Sequence, residues 1–165
     1  MNGRKRIFLT PLTAVETTDK EGVGTLRWEG NKVYKWVKFQ NTTATVAGVS
    51  GDVVAYGAAT GAENSLVVND RDDADAKPIG AGALQAAVTG TAGTAYYCWI
   101  QIKGPATLST ALGGSAGDGD TLMAGSTDKA VTKFLNDDAT ETNDGHPIGV
   151  ANDASAKKVV LDCPF

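Results

Sequence analysis

The chain has 165 residues, 42% of them hydrophobic, with 20 glycines and a formal net charge of −4. That length fits one domain with a sizeable core, or two very small units sharing one. The acidic balance argues against nucleic acid as a main partner, because phosphate neutralisation needs Lys and Arg in excess; no apolar run approaches the ~20 residues of a membrane span. Glycine and threonine are abundant and Leu, Glu and Gln never cluster with a helical period, so the expected class is all-β, with short strands and tight turns.

Residues 1–20 read as an extended N-terminal arm. Arg4, Lys5 and Arg6 form a basic cluster, followed by Ile7, Phe8, Leu9, Pro11 and Leu12. The basic residues at the N-terminus have no apolar stretch of signal-peptide type behind them. Termini are often frayed, but Ile7, Phe8 and Leu9 are poorly placed in water. The expectation is an arm that docks on a neighbour through residues 4–9, leaving a β domain over 21–165.

Residues 23–39 read as a hairpin about a glycine-first two-residue turn, Gly30-Asn31. That register opposes Trp28 to Val33 and Leu26 to Lys35. Leu26, Trp28, Val33, Val37 and Phe39 then share an ordinary core face. Arg27, Tyr34, Trp36 and Lys38 share the other, where a solvated sheet would be polar. Rings beside Arg and Lys suit an interface; equally, a loop of the same chain could cover them.

Further strands are expected near 52–56, 66–69, 79–89, 148–151 and 158–165. Pro78 and Pro147 suit strand starts, where no ladder donor is needed. The acidic run 70–75 and its counterpart 137–141 lack the central Gly and terminal Glu of an EF-hand loop and read as solvated turns. The glycine-rich stretch 113–120 has neither the Lys-Ser/Thr nor the spacing of a nucleotide-binding loop.

Short blocks recur in order. Tyr34-Lys35-Trp36-Val37-Lys38-Phe39 returns as Tyr97-Cys98-Trp99-Ile100-Gln101-Ile102. Gly51-Asp52-Val53-Val54 returns as Gly119-Asp120-Thr121-Leu122, Val67-Val68-Asn69-Asp70 as Phe134-Leu135-Asn136-Asp137, and Pro78-Ile79-Gly80-Ala81 as Pro147-Ile148-Gly149-Val150. The shared order implies two related halves, about 34–95 and 97–163. Two copies are too few for a solenoid, so a compact barrel or sandwich of two duplicated β halves is expected. Tyr34, Trp36, Tyr97 and Trp99 become candidates for an oligomer interface.

No catalytic constellation stands out. His146, the only histidine, lies in a turn, and no Ser, Thr or Cys has a base in a nucleophile context. Paired carboxylates could occur by composition, but in loops without an aromatic sugar platform. Cys98 and Cys163 are too few for a cysteine metal site, and reduced thiols are the expectation, with one disulfide as the alternative. The reading is of a non-enzyme with no cofactor and no metal.

The segment 33–39, the following Gly51-Asp52-Val53-Val54, and the Gly/Ala-rich second half with Tyr97-Cys98-Trp99-Ile100-Gln101-Ile102-Lys103-Gly104 resemble the decoration, or cement, proteins of tailed-bacteriophage heads. The resemblance covers roughly residues 22–125. It implies a β-rich, often trimeric virion protein that binds the major capsid protein on the outer surface of the shell, with no catalytic residues to carry over. The acidic balance suits a position away from packaged DNA. The competing expectation is a receptor- or glycan-binding module of a head fibre or other virion surface component. That module would carry aromatic rings in loops, whereas Trp28, Trp36 and Trp99 fall in expected strands. A barrel enzyme is a third, weaker possibility.

Overall fold

The structure, a computed structural model, describes residues 7–40, 46–56, 66–69, 79–90, 94–125, 129–134 and 146–164. The acidic runs 70–75 and 137–141 lie outside the described residues, as do Arg4, Lys5 and Arg6. Every regular element among the described residues is a strand, and the chain is all-β. In chain order they are β1 (Val15–Glu16), β2 (Leu26–Glu29), β3 (Lys32–Phe39), β4 (Val46–Gly48), β5 (Val53–Tyr56), β6 (Val67–Asn69), β7 (Gly80–Leu84), β8 (Val88–Gly90), β9 (Tyr96–Thr107), β10 (Leu112–Gly113), β11 (Thr121–Ala124), β12 (Val131–Lys133), β13 (Pro147–Asp153) and β14 (Lys158–Asp162).

The β2–β3 hairpin has the expected register, with Leu26 opposite Lys35 and Trp28 opposite Val33. Gly30 has φ +58°, which is what the first residue of a glycine-first turn requires. Pro147 does open a strand.

Twelve strands form one mixed sheet, while β4 and β8 pair separately. The sheet as a whole is not a closed barrel, since its path runs from β10 to β2. Within it, β3 pairs with β6, β6 with β5, β5 with β7, β7 with β9, and β9 again with β3. A second series runs β10–β12–β11–β13–β14–β9. β9 is therefore common to both series: residues 96–103 pair with β3 and residues 103–107 with β14. The two aromatic segments are antiparallel neighbours, with Trp36 directly opposite Trp99. One hydrophobic core spans both series, from Phe39, Tyr56 and Leu84 to Leu122, Ile148 and Leu161.

The entries to β5 and β11 share a hydrogen-bond pattern. Gly51 N–H donates to the Leu84 carbonyl and Gly119 N–H to that of Ala151, both at 2.8 Å. Leu84 and Ala151 donate in return to the carbonyls of Asp52 and Asp120, both at 2.9 Å. The Asp52 carboxylate accepts Val49 N–H at 2.8 Å, and that of Asp120 accepts Gly117 N–H at 2.7 Å. Each ladder then shifts register just past a glycine, after Val54–Gly82 in one and Leu122–Gly149 in the other.

Those two glycines sit where the neighbouring backbone comes too near for a side chain. A Cβ on Gly82 would stand 2.6 Å from the Gln101 carbonyl oxygen, and one on Gly149 would run into that of Val160. Their φ angles, +152° and +156°, also disfavour L side chains. Gly82→Ala and Gly149→Ala should each cost about 1–3 kcal/mol in urea unfolding. Gly117→Ala, whose added methyl has only the Asp120 carboxylate within 4 Å, should stay within about 0.5 kcal/mol.

Candidate functional site

The four rings proposed as an oligomer surface do not lie bare. Trp36 and Trp99 are fully buried, Tyr34 nearly so and Tyr97 partly. Phe8, Leu12, Ala14 and Val23 of the same chain pack over them. The alternation of β3 and β9 does put the rings on the face away from the main core, but the N-terminal segment covers that face. The argument that their exposure would drive association is thereby removed.

The cover is fixed by polar bonds that the rings themselves demand. An indole N–H is a donor that needs a partner when buried. Trp99 Nε1 donates to Thr10 Oγ1 at 2.9 Å, and Thr10 Oγ1 donates to Glu21 Oε1 at 2.7 Å. The same carboxylate oxygen accepts Thr10 N–H at 2.7 Å. Trp36 Nε1 donates to Asp19 Oδ1 at 2.9 Å, while Asp19 also accepts the N–H groups of Gly22 and Val23. The rings of Trp36 and Trp99 meet edge to face, 5.2 Å apart at 62°, and Phe8 stands against Trp99 at 5.6 Å and 81°. Arg27 lies 4.9 Å from the centre of the Phe8 ring, donates to the Thr10 carbonyl and pairs with Glu29. Burial raises the Tyr34 hydroxyl pKa, Glu29 adds to the rise, and Arg27 opposes it.

The described part of the arm is thus built into the body of the chain. Phe8 is committed to Trp99, Thr10 is buried, and β1 adds to β9 with Val15 opposite Cys98. Ile7 and Leu9, the other apolar candidates, are 85% and 73% exposed. Trp28 also departs from expectation. It shares a face with Leu26, which still packs on the core, yet is 63% exposed. The reason is position: β2 ends the sheet, and Trp28 sits beside its turn, beyond the covered area.

Lys35 was not singled out from sequence, although it has the parity of Val33, Val37 and Phe39. It is buried on the main-core face, where Nζ donates to Tyr56 Oη at 2.9 Å and lies 4.9 Å from that ring's centre. Tyr56 in turn donates to the Pro164 carbonyl at 3.1 Å. Burial lowers the Lys35 pKa and, with Cys163 nearby, raises Tyr56 to about 12. Cys98 and Cys163 are both free and buried. Burial pushes each thiol to about 12; for Cys163, Asp162 adds to the rise and Lys103 opposes it.

His146 is exposed. Among the described residues no group of three or more His, Cys, Asp and Glu could hold a metal ion. None of the described helices, since there are none, is long and apolar enough to cross a membrane. Comparison with protein-family models, curated proteins and solved structures finds no match.

Deleting residues 1–14 should lower the melting temperature markedly, because it uncovers Trp99 and leaves its indole N–H and the Glu21 carboxylate without Thr10. Trp36→Ala should cost about 3–5 kcal/mol and leave the mass by light scattering unchanged. An unaltered melting curve in the deletion would show that the segment does not cover the rings.

The buried titratable groups set an alkaline limit. The two thiols titrate near 9.0 in the unfolded chain and about 12 in the fold, so their stabilisation is complete below pH 9 and lost between those values. Tyr56 acts in the same sense from 10.0 to about 12. Lys35 acts oppositely: its folded pKa lies below 10.5, so its contribution rises with pH up to that value. Tyr34, also raised from 10.0, adds to the fall, and four falling contributions against one rising one give a melting temperature that drops from about pH 9 upward. Cys98→Ala should flatten the drop in a series of melts across that range.

Proposed function

We propose that the chain is a non-enzymatic virion structural protein that binds the major capsid protein on the outside of a tailed-phage head and stabilises the shell. The observation that carries this reading is where the resembling residues fall. Segments 33–39 and 97–104 lie side by side as the central strands β3 and β9, so the likeness concerns the scaffold. The net charge of −4 suits an outer surface. A homotrimer placed on threefold positions of the shell belongs to this proposal through the resemblance.

The proposal includes an internal duplication of two strand rings that share β9. Its support is the pairing order: β3–β6–β5–β7–β9 in the first half reads as β9/β10–β12–β11–β13–β14 in the second, with parallel β3–β6 matched by parallel β10–β12. The paired glycines and aspartates described above fall at matching places. This equivalence differs from the one suggested by residue similarity. Gly51-Asp52 does match Gly119-Asp120, but Gly82 matches Gly149, Val68 matches Val131, and Trp36 matches Thr107 rather than Trp99.

The test is made on particles. The protein should co-purify with intact heads, and heads lacking it should lose resistance to heat and osmotic shock. Absence from purified particles, or particles indifferent to its loss, would overturn the reading. The exposed ring of Trp28 favours the receptor- or glycan-binding alternative; retention on immobilised glycans, abolished by Trp28→Ala, would move the function there.

A further inference from the structure

The two proposed halves differ in how their outer faces are covered. In the first, a row of cross-strand partners runs Val53, Ala83, Gln101, Tyr34 over β5, β7, β9 and β3, and all four are buried, Val53 and Ala83 as part of the main core cluster and Tyr34 in the aromatic one. The matching row in the second is Thr121, Val150, Val160, Pro105 over β11, β13, β14 and β9, and all four are exposed. Val150 and Val160 face each other across the ladder at 41% and 45% exposure. Part of the cover on the first face is the N-terminal segment, which packs on Tyr34, Trp36 and Trp99.

That segment has a second apolar side. Phe8 is used on Trp99, while Ile7 and Leu9 on either side of it meet solvent. Ahead of them come Arg4, Lys5 and Arg6 with no acidic residue; residues 7–165 carry 12 basic and 19 acidic side chains, a net −7. The leading residues are therefore opposite in charge to the body of another copy.

We propose that the bare row of the second half is the docking surface for the N-terminal segment of a second copy, with Ile7 and Leu9 seated on Val150, Val160 and Pro105. The correspondence of the two faces rests on the duplication proposed above. The contact joins different patches on the two partners, so it is heterologous and propagates head to tail, closing as a ring where its rotation permits and continuing as a filament where it does not. It gives the chain a route to a trimer that needs none of Tyr34, Trp36, Tyr97 and Trp99.

A pair of complementary variants tests this. Wild-type protein should associate reversibly in sedimentation velocity between micromolar and about millimolar concentration. Val150→Asp/Val160→Asp and Ile7→Asp/Leu9→Asp replace exposed side chains, so both should melt near the wild type. Each alone should dissociate at least about tenfold more readily. Mixed in equal amounts they should form a heterodimer and nothing larger, since only one intact segment and one intact face remain. If an aspartate variant fails to fold, Val160→Ser and Ile7→Ser serve in its place. A wild type that stays monomeric throughout, a face variant that associates as tightly as the wild type, or a mixture that stays monomeric would overturn the docking. The duplication is read separately, from whether the two pairing series superpose in a crystal structure with Gly82 on Gly149 and Asp52 on Asp120, so the two can fail independently.

Discussion

The interaction on which the outer half of this molecule depends is the donation of two buried indole N–H groups to a short N-terminal stretch. A tryptophan on a sheet face brings a large apolar area and a single obligatory donor. Here β3 and β9 place Trp36 and Trp99 opposite each other, so two donors emerge within one cross-strand pair. Asp19 and Thr10 accept them, and Thr10 passes its own proton bond to Glu21. Leaving either N–H unpaired in the interior would cost roughly 1–3 kcal/mol. That requirement, beyond the apolar contact of Phe8, Leu12 and Ala14, holds the chain from residue 8 to 23 in one place.

The opposite face follows a different rule. Lys35 shares its parity with Val33, Val37 and Phe39 and enters the main core, where the Tyr56 hydroxyl and ring meet it. Burial of an ammonium group is costly, and the lowered pKa of Lys35 expresses that cost. The Tyr56 hydroxyl then reaches the Pro164 carbonyl. A polar thread thus ties the hairpin, the β5 strand and the end of the described chain together across a core that is otherwise apolar.

Local features were legible in the residues. The hairpin register followed from Gly30-Asn31 and strict alternation, and β5, β6 and β14 stood out as apolar runs between turn residues. Long-range cover was not legible. Nothing in Tyr34-Lys35-Trp36 shows that residues 8–23 will return over it, because that contact joins Thr10 to Trp99 across 89 positions. Lys35 was missed because its charge outweighed its parity. Nor did the likeness of Tyr34/Trp36 to Tyr97/Trp99 show that the two pairs pack against one another in one aromatic cluster, as antiparallel neighbours of β3 and β9.

The double membership of β9 bears on how the protein is made. Strands β3, β5, β6 and β7 leave the ribosome first, yet the strand that joins β7 back to β3 is residues 96–103. The first series therefore waits, open along two edges, until more than half of the chain has been synthesised. When β9 arrives it completes that series and at once offers residues 103–107 as the template on which β14 will pair. Chain order during translation thus becomes assembly order, with one strand serving as both the last piece of the first pairing series and the first piece of the second.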